Sequence, residues 1–362
     1  MKGVSALLAA VLLFASAASA ADAPLKWGAG LLRRDADWYV SPAARTAAEA
    51  VLSYQSSQGA WPKNADLLTP ATAETLAALE KKGDANTIDN FATTRPMRFL
   101  ALVAQAAGGE GAENEKYRAS VLRGVDYLLA AQYANGGFPQ FYPLRDRGYY
   151  SRITYNDGAM IAALEVLRDV AAGIEPFAFV DADRRARCAD AVARGIDCIL
   201  KTQIRQDGKP AAWCAQHDET TLAPAWARKF EPPSLSGSES VGVVRFLMTI
   251  DNPSPEVRAS VEGAVAWLQK VMIRGQRLEL IKGADGRMER RLSDDPAAPP
   301  LWARFYELGT DRPLYMDRDA RPVYSYAELD YERRSGYDYH GEWAASLISN
   351  EYPAWREKHG LR

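Results

Sequence analysis

Cysteine, histidine and surplus charge of either sign are all scarce in this 362-residue chain. The three cysteines, Cys188, Cys198 and Cys214, leave at least one without a partner. Cys188 and Cys198 stand ten apart on a stretch of helical periodicity, roughly 15 Å along a helix axis, too far to bridge. All three are therefore expected as free, buried thiols. With three histidines and no close Cys–Cys spacing, a zinc site is not expected. Forty-four basic and 46 acidic side chains leave a net charge of −2. Arginine-rich stretches are broken by acids, so there is no footprint for nucleic acid. After the first twenty residues there is no apolar run of about 18 residues, so no membrane span is expected. Those first twenty read as a secretory signal peptide: Lys2, an apolar stretch from Ala6 to Phe14, and Ala18-Ser19-Ala20 as cleavage site. No cysteine at that site points to lipidation. A secreted domain over residues 21–362, periplasmic or extracellular, is the expectation.

One phrase returns along the chain. Leu52-Ser-Tyr-Gln55-Ser-Ser-Gln-Gly59-Ala-Trp61-Pro62 becomes Leu128-Leu-Ala-Ala-Gln132-Tyr-Ala-Asn-Gly136-Gly-Phe138-Pro139. It reappears more weakly as Ile199-Leu-Lys-Thr-Gln203, and Trp267-Leu-Gln269 is a fourth echo. The glutamines fall 77, 71 and 66 residues apart, a period that holds two helices and their loops. Amphipathic segments fill the intervals: 118–131, 158–172, 183–200, 240–249 and 256–271. Helical hairpins repeating in one direction close into an α/α toroid with an active site built from loops at one end. Past residue 275 the texture changes. Segments 277–281 and 287–292 around Gly-Ala-Asp-Gly read as a β-hairpin, and 302–308 as a further strand. No linker precedes them, so they are expected to pack onto the toroid.

Two acidic pairs, Asp89-Asn90 and Asn156-Asp157, occupy equivalent places one repeat apart, after Thr87-Ile88 and Thr154-Tyr155. Taken alone, Asp157 reads as an N-cap. Repeat symmetry would bring both pairs to one end of the toroid, where their oxygens suit an incompletely coordinated Ca²⁺. The segment Trp226-Ala-Arg228-Lys229-Phe-Glu-Pro-Pro-Ser-Leu-Ser-Gly-Ser-Glu239 is too irregular for helix and too rich in Pro, Ser and Gly for core. It reads as a structured loop facing an anionic ligand, although Arg228 and Lys229 could equally be a solvated basic face. Glu239 is a first-turn acid complementing a helix dipole. Arg304 and Arg318 could clamp carboxylates. The Tyr142–Tyr150 loop is aromatic and basic enough to touch sugar rings. His217-Asp218 cannot form a catalytic dyad by adjacency, and no activated serine is evident.

Residues 132–143, 153–160 and 223–239, with 302–308 and 331–337, closely resemble the pectate lyases of polysaccharide lyase family ten. That resemblance spans essentially the whole mature chain. It implies an α/α toroid and Ca²⁺-dependent β-elimination on polygalacturonate (pectate), leaving 4,5-unsaturated ends. By motif it makes Arg228 the catalytic base and places Asp89 and Asp157 at metal positions. Asn90, Lys229, Arg304 and Arg318 fall at substrate positions, though Asp317 replaces the small residue expected before Arg318. A monomer is expected. An arginine is almost always protonated, so Arg228 can accept a proton only where neighbouring cations and desolvation disfavour its charge. Rival readings are an inverting glycoside hydrolase using Asp89 and Asp157 as acid and base, a terpenoid cyclase or prenyltransferase suggested by Gln55 to Trp61, and a non-catalytic pectin-binding protein.

Overall fold

The computed structural model describes residues 25–108, 111–146, 148–283 and 285–361; the signal peptide expected over residues 1–20 lies outside them. Local signals place the helices. Ser41 accepts from the Ala44 amide with Pro42 at the first turn, Asp181 from that of Arg184, and Ser254 from that of Val257 ahead of Pro255. Gly173, at φ 60°, ends the helix before it in the left-handed conformation. The helices are α1 (Ala36–Tyr39), α2 (Pro42–Leu52), α3 (Ala73–Lys82), α4 (Thr94–Ala106), α5 (Ala112–Ala131), α6 (Ala159–Ala172), α7 (Ala182–Thr202), α8 (Glu239–Met248), α9 (Pro255–Lys270), α10 (Tyr331–Gly336) and α11 (Tyr352–Lys358).

Helices α4 with α5, α6 with α7 and α8 with α9 pack as antiparallel hairpins. Contacts run from α4 to α6 to α8 on one layer and from α2 to α5 to α7 to α9 on the other. The chain is an α/α toroid whose inner helices are α4, α6 and α8. Helix α6 buries residues all round, as an inner helix must. The outer α7 buries only one stripe, including Cys188, Ala191 and Cys198.

The recurring glutamines have one structural task. The Nε2 amide of Gln55 donates to the Gly59 and Ser120 carbonyls, both at 2.9 Å. Gln132 donates to Gly136 at 3.0 Å and Ala191 at 2.8 Å. Gln203 donates to Ala211 at 3.0 Å and Ser260 at 2.9 Å. Each amide ties its own turn to the next outer helix and satisfies carbonyls that burial would leave bare. A Cβ on Gly136 (φ 90°) would sit 2.0 Å from the Arg194 carbonyl oxygen, so only glycine lets the turn approach that closely. Gln269, the fourth echo, is exposed and does not repeat the contact.

Two sequence expectations are corrected. Asp157 is not an N-cap: α6 begins at Ala159 after Gly158, and no side chain caps it. Residues 302–308 are not one strand. Trp302–Ala303 pairs with His340–Gly341, whereas Phe305–Tyr306 pairs with Leu235–Ser236, and Arg304 falls at the break. The hairpin is as expected, with Gln276–Lys282 antiparallel to Met288–Asp294. The three cysteines are free and buried. A second core of Phe230, Phe305, Tyr315, Met316, Tyr326 and Tyr339 lies beneath the C-terminal segment, separate from the main core of the helices.

Candidate active site

Three successive inner helices present their N-termini at one end of the toroid, each preceded or opened by an acid or amide. Before α4 and α6 the chain makes the same turn. Asn90 has φ 52°, ψ 31°, and Asp157 has φ 51°, ψ 26°. Left-handed backbone is tolerated best by Asn and Asp among residues with a side chain, which accounts for the residue types. Repeat equivalence thus pairs Asp89 with Asn156 and Asn90 with Asp157, exchanging carboxylate and amide. The two turns are in contact. The third helix, α8, opens on Glu239, whose carboxylate is buried.

Asp89 is buried; its Oδ2 accepts from Lys63 Nζ at 2.7 Å, while its Oδ1 is buried without a hydrogen-bond partner. Asp157 is part-exposed and accepts from Arg304 Nη2 at 3.2 Å and from Asn156 at 2.7 Å. Burial raises the Asp157 pKa; Arg304 opposes that rise, and the carboxylates of Glu239 and Asp89 add to it. Asn90 is exposed beside them. An orphaned carboxylate oxygen, a second carboxylate held above its ordinary pKa and a free amide suit a hard cation sharing its remaining coordination with a ligand. Among the described residues, no three His, Cys, Asp or Glu side chains form a ready-made metal cage. The protein oxygens alone would hold such an ion incompletely.

The opposite wall is cationic and aromatic. Arg304 donates to Glu239 at 2.7 Å as well as to Asp157, and its guanidinium lies 5.2 Å from the Tyr337 ring centroid. Burial works against its charge, but Glu239, Tyr337 and Asp157 more than compensate and raise its pKa. Tyr337 donates its hydroxyl to Glu231 at 3.1 Å. Glu231 in turn ion-pairs with Arg228, whose Nε lies 2.8 Å from Oε2. The hydrogen bond to Glu231 raises the Arg228 pKa, with burial opposing it. In this state Arg228 is held charged, the reverse of what a base requires. Burial pushes the Tyr149 hydroxyl up to about 12, with Tyr150, Glu231 and Asp89 adding to the rise and Arg228 opposing it. Lys229 is exposed, and Arg318 is exposed and paired with Glu332 at 2.7 Å.

Asp89, Asn90, Asp157 and Arg304 therefore lie together at this end of the toroid, Arg228 is joined to them through Glu231 and Tyr337, and Lys229 and Arg318 are exposed at the margin. Sequence reading passed over Lys63, Glu231 and Tyr337 as site residues, and took in Tyr149 only as part of the Tyr142–Tyr150 loop. Lys63 follows the aromatic-Pro exit of the first repeat, and Glu231 stands three residues after Arg228; those offsets were the available signals. His217 is structural. It is buried, its Nδ1 donates to the Leu222 carbonyl at 2.9 Å, and its Nε2 accepts from the Cys214 amide at 3.1 Å. Asp218 pairs with Arg152 and braces the turn at Thr220 and Thr221. Arg145 donates to the Gly83 and Ala85 carbonyls, both at 2.7 Å, and serves as a loop clamp. A cavity of about 280 Å³ bounded by Gln276, Arg277, Leu301 and Glu342 shares no residue with this groove.

The family model described as pectic acid lyase matches residues 55–348. The chain belongs to the pectic acid lyase family. Among solved structures, it is 34% identical to the family 10 polysaccharide lyase from Cellvibrio cellulosa, with a TM-score of 0.74, covering 90% of this chain and 95% of that one. An aspartate-to-alanine mutant of that lyase, in complex with trigalacturonic acid, gives 34% identity and a TM-score of 0.75, covering 88% of this chain and 95% of that one. No curated protein matches the chain. Family and neighbours make it a polysaccharide lyase. The cyclase reading falls to that match, and the glutamine phrase that suggested it is a hairpin staple. The hydrolase reading, with Asp89 and Asp157 as acid and base, is set aside by the same family match. No helix among the described residues is long and apolar enough to cross a membrane.

Proposed function

We propose that this lyase cleaves polygalacturonate by Ca²⁺-dependent β-elimination, with Arg228 as the base. What supports this reading is the continuous chain of contacts from Arg228 through Glu231, Tyr337 and Arg304 to Asp157, which joins that guanidinium to the turns carrying Asp157 and Asp89. Binding of trigalacturonic acid by the similar Cellvibrio enzyme supports the choice of substrate.

Asp89 and Asp157 would hold Ca²⁺, with Asn90 beside them. The ion, when bound, would neutralise the uronate carboxylate and so acidify the adjacent C5–H. The chain's own groups do the rest. Arg304, Arg318 and Lys229 present cations to the carboxylates of successive sugars, favouring a polyanion over a neutral glycan. Arg228 takes the C5 proton; the C4–O bond breaks as a C4=C5 double bond forms, and the departing oxygen gains a proton. Because Glu231 keeps Arg228 protonated in the free enzyme, the rate should rise towards alkaline pH. We further infer a secreted monomer acting in the periplasm or outside the cell.

The test is ultraviolet absorbance of unsaturated uronate ends from polygalacturonate, with and without Ca²⁺ and after chelation. Absorbing products that vanish with chelator and return with Ca²⁺ support the proposal. Saturated ends alone, chelator-insensitive turnover, or binding without cleavage each overturn it.

A further inference from the structure

Beneath the Arg228 loop lies a guanidinium that the scheme above does not use. Arg333 of α10 is 3% exposed and has no ion pair among the described residues. Its Nε and Nη2 are buried and unpartnered. Its central carbon lies 4.0 Å from the ring centroid of Phe230, 4.3 Å from that of Tyr337 and 5.7 Å from that of Tyr339. Phe230 follows Arg228 by two residues. The guanidinium carbons of Arg228 and Arg318 lie 4.8 Å and 5.2 Å from the same ring centroid. Three guanidiniums thus surround one phenyl ring. Arg228 and Arg318 have carboxylate partners, Glu231 and Glu332; Arg333 has aromatic faces and the Tyr339 hydroxyl.

Ring quadrupoles offset only part of the desolvation penalty of such a cation. Its distances to the shared ring put Arg333 and Arg228 no more than about 9 Å apart, where a like charge at an effective dielectric near 20 acts by about one pK unit. We propose that Arg333 is a positioning residue for the base: it fixes Phe230 under the Arg228 side chain, and its unneutralised charge tilts Arg228 towards losing its proton. This rests on the lyase reading. The groups facing Arg228 divide. Glu231 on its own loop favours the charged form, as do the Tyr337 and Tyr149 hydroxyls from neighbouring segments. Lys229 alongside, Arg318 from the loop after Met316 and Arg333 from below oppose it.

The experiment is the pH profile of kcat/KM on polygalacturonate for the wild type, Arg333→Lys and Arg333→Gln, with Tm measured alongside. Arg333→Gln should move the rising limb about one pH unit upward and lower kcat about tenfold at fixed pH, with KM changed less than about twofold. Arg333→Lys, which retains the charge, should leave the limb in place. An unmoved limb in Arg333→Gln, or a limb moved equally by Arg333→Lys, overturns the proposal. Should Arg333→Gln fail to fold, Arg333→Met takes its place with the same criteria. A wild type yielding no unsaturated product at any pH removes the lyase reading itself; wild-type turnover with coincident limbs removes only the role of Arg333.

Discussion

The core of the helical repeats is built largely from alanine, valine and leucine, and its polar contacts recur from one hairpin to the next. Beneath the C-terminal segment, the core is Phe230, Phe305, Tyr315, Tyr326 and Tyr339, with arginines stacked on rings and no repeat at all. The two regions meet across the groove and contribute opposite charges. Inner-helix N-termini bring Asp89, Asp157 and Glu239, while the irregular loops bring Arg228, Arg304 and Arg318. A repeat is well suited to placing like groups side by side, because one turn geometry is reused. Irregular chain is suited to holding several cations close together, since each needs its own carboxylate or aromatic face.

The strongest way to break this contrast is at Arg228. Arg228→Ala should lower turnover by about 10³-fold or more while oligogalacturonate binding, read by calorimetry, changes little. Next comes acid. Burial lowers His217 and His340 to about 4 from an ordinary value of 6.5, so the unfolded chain takes up these protons first. Their contribution is complete above pH 6.5 and lost as pH falls towards 4, up to about 3 kcal/mol each. Chemical denaturation at pH 7 and pH 4.5 would show it, and His217→Asn should flatten the slope. On the acidic wall, Asp157→Asn should cost about 10²-fold in kcat/KM and raise the Ca²⁺ concentration needed for half-maximal rate.

The remaining two outcomes sharpen the repeat side. Gln132→Ala should lower stability by about 2 kcal/mol, because two buried carbonyls lose their donor. The kcat of the folded fraction should stay near wild type. Gln269→Ala, at the exposed fourth echo, should stay within about 0.5 kcal/mol. If the two glutamine variants proved equally damaging in thermal melts, the distinction between staple and surface residue would be lost.

Much of the helical half was legible. The glutamine period marked the hairpins, and the segments read at 158–172, 183–200, 240–249 and 256–271 match helices to within two residues, whereas 118–131 misses the start of α5 and α2, α3 and α4 were not read. Asp89, Asp157 and Arg228 stood out by position and motif. The misreadings have physical causes. Asp157 looked like an N-cap because Asp before a helix usually is one, but its left-handed backbone turns the carboxylate away from the helix amides and towards Arg304. Residues 302–308 looked like one strand because the apolar pattern runs through Arg304, and only the two different pairing partners break it there.

Sequence by itself determined the repeat, the hairpin and the kinds of side chain gathered at the groove, since these follow from local periodicity, capping and motif. Tertiary structure decided which charges neutralise which: Lys63 on Asp89, Glu239 on Arg304, Glu231 on Arg228, and, among the described residues, no ion-paired carboxylate on Arg333. Arg304 reaches Asp157 across 147 residues of chain. Electrostatic pairing depends on distance through space and on the loss of water around each group, and neither is written in the order of residues.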